Sequence, residues 1–147
     1  MTDPHTMSAQ LTRDLERLLS AESTTVMGVG VDVEEHVRFQ DVKLDALFTP
    51  GEQEHCRRWQ GRSRGEFAGI WCAKEAVFKA LSPFLDVRLD VIEIAHDRAG
   101  RPVVKLHIPD GSAVESRVRV SISRTFNLAT AIAIYQPSPN TPDRTED

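Results

Sequence analysis

The sequence of 147 residues lacks most features that mark secreted, membrane-spanning or nucleic-acid-binding chains. Its two cysteines, Cys56 and Cys72, are too few for a disulfide framework. Its strongly apolar stretches reach only about ten residues, too short for a bilayer, and its start lacks a secretory signal pattern. A net charge of −4 argues against nucleic acid as the main partner. This charge does not exclude a local basic pocket. We therefore expect a cytoplasmic protein without nucleic-acid or membrane partners.

The composition and the punctuation of the chain predict one globular domain with two flanking segments. Hydrophobic residues make up 40% and charged residues 27%, as in ordinary globular proteins. Leucines at helical spacing predict a short helix over 9–20, inside an N-terminal extension of residues 1–25. The main domain is expected over 26–136. Residues 137–147 are rich in Pro, Asn, Thr and Asp and are predicted to be a disordered tail.

Within the main domain, hydrophobic periodicity predicts an α+β fold with an antiparallel sheet packed on one long central helix. Thr49, Pro50 and Glu52 form a capping-box signature for a helix that runs to about Gln60. An irregular helical stretch is expected over 34–48, and the longest helix over 65–82. Strands are predicted over 24–33, 89–95, 102–108, 117–123 and 128–135, with turns at 97–100 and 124–127.

The predicted long helix carries three charges inside an apolar pattern. Its apolar residues form two neighbouring rows, so most sides of the helix should be buried. Lys74, Glu75 and Lys79 interrupt these rows, and charges in a buried helix are costly unless they are paired or bound. A plain Glu75–Lys79 pair on a narrow solvent face explains the pattern equally well.

Two acidic residues follow each other at the end of the first predicted strand. Asp32 and Glu34 are two positions apart, so both side chains should point to the same face. A hard cation such as Mg²⁺ would relieve the repulsion between two neighbouring carboxylates. The alternative is a strand that ends in solvent, where acidic residues are common. Near the other end of the domain, Ser123 and Arg124 close a strand and could face a ligand, or could belong to a plain hairpin turn.

Taken together, these segments resemble the 4′-phosphopantetheinyl transferase superfamily over about residues 26–135. Trp71, Lys74, Glu75, Ala76 and Lys79 match the family's WxxKEAxxK motif. Gly30-x-Asp32-x-Glu34 matches its first motif, and 49–52 resembles the FTxxE stretch of the short subclass, the holo-acyl-carrier-protein synthases. The paired acids of the first motif are more similar to the longer, surfactin-synthetase-activating subclass.

The resemblance implies a Mg²⁺-dependent transfer of 4′-phosphopantetheine from coenzyme A to a carrier-protein serine, releasing adenosine 3′,5′-bisphosphate. Asp32, Glu34 and Glu75 are the implied metal ligands, and Glu75 or a metal-bound water is the implied base. Lys79 is implied to stabilise or protonate the leaving group, and Lys74 to contact a phosphate or to brace the site. Arg38 lies where the short subclass uses an arginine to dock the acidic carrier protein. Members of that subclass usually form homotrimers.

Two residues depart from the short subclass. Arg124 stands where a histidine is common, and arginine cannot act as a base but could bind a phosphate, together with the neighbouring Ser123. Ile70 stands where an arginine often meets coenzyme A. These departures keep a second hypothesis open, a non-catalytic module that binds carrier proteins or serves other chemistry on a carrier-bound substrate. A third reading treats the charged residues as purely structural.

Overall fold

The computed structural model describes residues 27–40, 43–139 and 141. The predicted N-terminal helix over 9–20 and most of the predicted tail lie outside these residues. The helices are α1 (Leu44–Leu47), α2 (Pro50–Arg57), α3 (Ser63–Leu81) and α4 (Gly111–Glu115). The strands are β1 (Gly28–Glu35), β2 (Ile92–His96), β3 (Pro102–Leu106), β4 (Val118–Arg124) and β5 (Leu128–Tyr135). Two 3₁₀ turns cover His36–Phe39 and Leu89–Val91.

The strands form two separate antiparallel sheets around α3. One sheet has the order β1-β5-β4, and the other is the β2–β3 hairpin. The α+β prediction is confirmed, but the single expected sheet is divided in two. Among the described helices, none combines the length and the apolar character that a membrane crossing requires.

Helix α3 is the centre of the core, as its apolar pattern predicts. Both predicted rows are buried except at Phe78, which is partly buried. The buried set consists of Phe67, Ile70, Trp71, Ala73, Val77, Ala80 and Leu81. The central position of this helix explains why it has no single polar face, and it makes the placement of its charged residues informative.

Small residues let β1 lie directly on α3. A Cβ atom at Gly30 would come within 1.8 Å of the carbonyl oxygen of Ala76, and one at Gly28 within 1.9 Å of that of Ala80. Because alternate residues of a strand share a face, Asp32 and Glu34 continue this helix-facing row. The close approach therefore places two acidic side chains of β1 next to α3.

The opposite face of the three-stranded sheet is apolar and exposed. On β1, Val29, Val31 and Val33 are 53%, 54% and 60% exposed, and on β5 Ile132 and Ile134 are 44% and 39% exposed. We call these five residues the outer face. An antiparallel sheet usually has polar residues on its solvated side, so this apolar surface is of the kind that a partner covers.

The segment after β1 differs from the prediction of an irregular helix over 34–48. Glu34 and Glu35 continue the strand, because they pair with Ala129 and Leu128 of β5. A 3₁₀ turn and the one-turn helix α1 follow, on either side of residues 41–42, which lie outside the description. The strand thus continues past the second acidic residue and holds it in the sheet.

The helix start at Thr49 is confirmed. The backbone N–H of Glu52 donates to Thr49 Oγ1 at 3.2 Å, and the N–H of Thr49 donates to Glu52 Oε2 at 2.8 Å. The helix ends at Arg57 rather than near Gln60. Strand β2 begins at Ile92, since the three residues before it form a 3₁₀ turn, and β4 includes Arg124, one residue beyond the predicted end.

Candidate active site

The structure brings Lys79 of α3 to Asp32 of β1. Lys79 Nζ donates to Asp32 Oδ1 at 2.8 Å and to the carbonyl oxygen of Val31 at 3.0 Å. The ammonium group therefore pairs with Asp32, and it does not form the plain Glu75–Lys79 surface pair that the sequence also allowed. The other oxygen of Asp32, Oδ2, is buried and has no hydrogen-bond partner among the described residues. A buried carboxylate oxygen without a donor is an available ligand position.

Glu34 is engaged by Arg38, which lies on the 3₁₀ turn that follows β1. Arg38 Nη1 donates to Glu34 Oε1. The Glu34 side chain is only 13% exposed, whereas that of Arg38 is 55% exposed. The guanidinium therefore reaches from solvent to a largely buried carboxylate.

Glu75 lies close enough to both acidic residues of β1 to feel their charge. Burial raises the pKa of Glu75, and the negative charges of Asp32 and Glu34 raise it further, while Lys79 and Arg38 lower it. Three carboxylates and two cations therefore form one electrostatic cluster between β1 and α3. We call these five residues the acidic cluster.

The acidic cluster has the chemistry that Mg²⁺ requires, although its side chains are not arranged as a ready-made cage. Among the described residues, no three His, Cys, Asp or Glu side chains stand at metal-binding spacing. The donor set consists of carboxylate oxygens, which hard cations prefer, and it includes the partnerless Oδ2 of Asp32. The residues present thus fit the cation that the sequence predicts.

Lys74 does not lie in this cluster. Its side chain is 2% exposed, and Nζ donates to Glu52 Oε2 at 3.0 Å and to the carbonyl oxygen of Leu47 at 3.1 Å. An ammonium group that is buried and paired in this way has no open side for a phosphate. Lys74 was predicted either to contact a phosphate or to brace the site. The geometry fits the brace, and the prediction that Lys74 binds the cofactor is corrected accordingly.

Glu52 has a larger role than the sequence indicated. The capping-box pattern identified it only as a helix-start residue, but its carboxylate also accepts the backbone N–H of Ile94 at 2.8 Å and is 1% exposed. Together with Lys74 it joins α2, α3 and β2. No sequence signal reports such a long-range bond, so this buried ion pair was missed.

Arg124 is tied to the beginning of α3. Its Nε donates to the carbonyl oxygen of Gly65 at 3.0 Å, and Nη2 lies 3.0 Å from Glu66 Oε2. Gly69 leaves room for it, since a Cβ there would come within 2.5 Å of Arg124 Nε. The predicted phosphate contact of Arg124 stays a prediction, and the guanidinium would have to share its donors with Glu66, a residue that the sequence reasoning missed.

Ser123 points away from the acidic cluster. In the three-stranded sheet Arg124, Ala129 and Glu34 are aligned, whereas Ser123 is aligned with Thr130 and Val33. Because neighbouring residues of a strand face opposite sides, Ser123 lies on the same side of the sheet as Val33, which belongs to the outer face. The two residues predicted to bind the same ligand therefore lie on different faces of one sheet.

Ile70, the second departure, and Cys72 are core residues on α3. Ile70 is fully buried, so it packs where an arginine would have been expected to meet coenzyme A. Cys72 is also fully buried, and its Sγ donates to the carbonyl oxygen of Ala129 at 3.3 Å. Burial raises the pKa of Cys72 to about 12, so the thiol is a packing group rather than a nucleophile, as expected.

A cavity of about 530 Å³ lies between β3 and the free edge of β4. Arg101, Arg119 and Ser121 are among the side chains that line it. It lies at the opposite edge of the sheet from β1, which carries Asp32 and Glu34. Asp97 and Glu115 also line it, and Arg101 pairs with Asp97 at 2.8 Å, so the cavity has mixed charge.

Comparison with known proteins agrees with this fold and this set of residues. The sequence model of the 4′-phosphopantetheinyl transferase superfamily matches residues 28–132. The holo-[acyl-carrier-protein] synthase of Nocardia farcinica is 34% identical over 127 residues, which cover 75% of this chain and 86% of that protein. Fatty acid synthase subunit alpha of Penicillium patulum is 40% identical over 114 residues, covering 72% of this chain but only 6% of that protein.

Solved structures give the same result. The acyl carrier protein synthase–coenzyme A complex of Chronobacterium ammoniagenes has a TM-score of 0.62 at 28% identity, covering 76% of this chain and 99% of that one. The acyl carrier protein synthase of Mycobacterium tuberculosis has a TM-score of 0.55 at 32% identity, covering 78% and 97%. The fold is thus that of the holo-acyl-carrier-protein synthases. The chain belongs to the 4′-phosphopantetheinyl transferase superfamily.

Proposed function

We propose that this chain transfers the 4′-phosphopantetheine group of coenzyme A to a serine of a carrier protein, in a Mg²⁺-dependent reaction that releases adenosine 3′,5′-bisphosphate. The observation that carries the proposal is the juxtaposition of Asp32, Glu34 and Glu75 with Lys79, across β1 and α3. Structural relatives that bind coenzyme A and the holo-synthase relative from Nocardia support the choice of substrates.

Asp32, Glu34 and Glu75 are the residues that would hold the metal. When bound, Mg²⁺ would neutralise and orient the pyrophosphate of coenzyme A. Burial and then the negative charges of Asp32 and Glu34 raise the pKa of Glu75, which suits a group that accepts the proton of the attacking serine hydroxyl. The serine oxygen then bonds to the phosphorus that carries the pantetheine, and the bond from that phosphorus to adenosine bisphosphate breaks.

Lys79 is the residue that stabilises the leaving group. The Lys79 side chain is 45% exposed and its ammonium group pairs with Asp32. Because the side chain is not buried, the ammonium group can turn from that carboxylate to a phosphate oxygen. The leaving bisphosphate gains negative charge as the bond breaks, and a cation beside it lowers the cost of that charge. Lys79 could also supply a proton to the departing oxygen.

The remaining parts of coenzyme A need a separate surface. The cavity between β3 and β4 has the volume of an ordinary small-molecule site and is lined by Arg119 and by Arg101, which pairs with Asp97. Arginine side chains pair well with the phosphates of adenosine 3′,5′-bisphosphate. Ser123 and Arg124 follow the part of β4 that lines this cavity, and we propose that they contribute to coenzyme A binding from beside it.

The carrier protein is proposed to dock at Arg38, next to the acidic cluster. Carrier proteins are acidic, and an exposed guanidinium gives a complementary charge. Seven fungal relatives are themselves alpha subunits of fatty acid synthases that match this chain over 6% to 8% of their length, which favours a carrier of fatty-acid synthesis.

A homotrimer is the proposed assembly, with the outer face as the surface that copies share. Five apolar side chains of β1 and β5 are between 39% and 60% exposed in a single chain. Burial of such a contiguous apolar surface is favourable, and the short subclass that the sequence resembles usually forms trimers.

We further propose that residues 26–136 are the transferase domain, that 1–25 are an extension and that 137–147 are a tail. We propose the cytoplasm as the location of the protein.

A mass measurement on the carrier protein tests the proposed function. The chain is incubated with Mg²⁺, coenzyme A and an apo acyl carrier protein, and the carrier should become heavier by one phosphopantetheine. Glu75→Ala should abolish the shift while circular dichroism shows an intact fold. Arg58→Ala, at an exposed position directly after α2, is the matched control and should retain full transfer. The absence of a shift with several carrier proteins would refute the transferase.

The second candidate is a binding module that has kept the fold without the chemistry. The binding of Arg124 to Gly65 and Glu66, and the burial of Ile70, favour it, because Arg124 shares its donors with Glu66 and Ile70 offers no charge to a phosphate. Calorimetric titration with coenzyme A separates the two functions. Tight binding that requires Mg²⁺ supports the transferase, whereas carrier-protein binding without coenzyme A binding supports the module.

A further inference from the structure

Two of the three carboxylates in the acidic cluster are already occupied by cations from this chain. Lys79 pairs with Asp32 and Arg38 pairs with Glu34. The two carboxylate side chains are 14% and 13% exposed, whereas the two cations are 45% and 55% exposed. Each cation therefore reaches inward from solvent and neutralises a carboxylate that could not easily be left alone.

These pairs compete with a metal for the charge of the same two carboxylates, although Oδ2 of Asp32 itself has no partner among the described residues. Mg²⁺ needs direct oxygen ligands at short range, and an oxygen that accepts a hydrogen bond from a guanidinium is less available to it. Three carboxylates and two cations also leave a net charge of only −1 to attract a divalent ion. Loading of the metal is therefore favoured when a resident cation leaves its carboxylate, and both cations have exposed side chains that can turn toward solvent.

Arg38 differs from Lys79 in what it can do after it leaves. It is on the 3₁₀ turn beside β1 and is more than half exposed, so the released guanidinium faces solvent. An acidic group of a docking protein is a suitable new partner, since arginine binds carboxylates in the same geometry wherever they come from. A partner carboxylate that accepts from this guanidinium shares its charge and its donors, so the pair with Glu34 is weakened.

We infer that Arg38 is an exchangeable counter-ion that couples metal loading to carrier-protein docking, an inference that rests on the proposed function. Without metal, Arg38 neutralises Glu34. When a carrier acid captures Arg38, Glu34 becomes available to Mg²⁺, and when Mg²⁺ occupies Glu34, Arg38 becomes available to the carrier. By linkage, each ligand strengthens the binding of the other by the same factor.

Mn²⁺ binding, followed by electron paramagnetic resonance without coenzyme A, measures this coupling. The Kd for Mn²⁺ is determined alone and with saturating acyl carrier protein whose acceptor serine is changed to alanine. For the wild-type chain the carrier should lower the Kd about twofold to fivefold, the scale of one exposed ion pair. For Arg38→Ala, Mn²⁺ alone should bind more tightly than to wild type, and the carrier should have no further effect on the metal.

Arg58→Ala is the matched control, because Arg58, directly after α2, pairs with Glu54 four residues earlier, as Arg38 pairs with Glu34. It should keep both the wild-type Kd and the coupling. The inference is overturned if wild type shows no coupling, or if Arg38→Ala retains it. If the coupling alone fails, Mn²⁺ still binds and the carrier mass assay still shows transfer. If the proposed function fails, Mn²⁺ binds to no variant and the mass assay shows no transfer. The two failures therefore give different results.

Discussion

Lys79 and Asp32 are 47 positions apart in the sequence, yet Lys79 Nζ donates to Asp32 Oδ1 at 2.8 Å. This bond crosses from α3 to β1 at the point where the two elements are in closest contact. Gly28 and Gly30 make the approach possible, because any Cβ atom there would meet the helix backbone. The packing of a strand on a helix is thus also what assembles the acidic cluster.

The first prediction concerns the buried Lys74–Glu52 pair. Lys74→Met should lower the free energy of unfolding by about 3–5 kcal/mol, since Glu52 would stay buried without its partner. Urea unfolding measures the loss. Lys105→Met, on an exposed position of β3, is the control and should change stability by less than about 0.5 kcal/mol. The double variant Lys74→Met/Glu52→Gln should recover part of the loss, and a single variant as stable as the control would contradict the brace.

The second prediction concerns the pH dependence of Glu75 in the metal-free protein. Burial and the neighbouring acids raise its folded pKa above the ordinary 4.5, so the folded state binds the proton more tightly than the unfolded state. The ionised carboxylate therefore reduces stability as pH rises through this range. Glu75→Gln should raise the melting temperature at about pH 7, and the gain should vanish at about pH 4.

Thermal melts in a chelator at the two pH values measure this difference. Glu54→Gln, which removes an exposed carboxylate from α2, controls for the loss of a surface charge. A gain of equal size at both pH values would show that the glutamine stabilises for another reason. A loss at about pH 7 would show that Glu75 is satisfied in the folded chain rather than repelled.

The third prediction concerns the close contact of β1 with α3. Gly30→Ala places a Cβ 1.8 Å from the carbonyl oxygen of Ala76, which is backbone and cannot move aside cheaply. We expect a loss of about 1–3 kcal/mol in stability and a larger loss of carrier modification, because Asp32 moves with the strand. Gly51→Ala, where the nearest atom is Glu93 Oε1 at 3.3 Å, is the control and should retain activity.

The fourth prediction concerns the outer face. Val31→Lys should convert a trimer to monomers in size-exclusion chromatography with light scattering, because a charged side chain cannot be buried without a partner. Val31 is 54% exposed in the single chain, so the folded monomer should tolerate the change. Trp59→Lys, at an apolar side chain that is 50% exposed away from this face, should leave the mass unchanged. A wild-type monomer would show that something else covers the outer face.

The sequence predicted well those elements that depend on interactions between residues close together in the chain. The capping box at Thr49, the long helix and the two antiparallel pairs are confirmed, because each depends on hydrogen bonds and periodicity between near neighbours. The prediction of helix after β1 was wrong at Glu34 and Glu35, because pairing with β5 outweighed the local preference. That pairing is a long-range interaction and leaves no trace in a short window.

The sequence by itself determined the chemistry of this protein: which acids, lysines and arginines it has, their spacing within each motif, and through them the superfamily. Only the tertiary structure decided which partners those groups have. It paired Lys79 with Asp32, buried Lys74 against Glu52, bound Arg124 to Glu66 and turned Ser123 to the outer face. The reason is physical, since these contacts depend on strand register and on how closely β1 lies on α3, which distant residues set together.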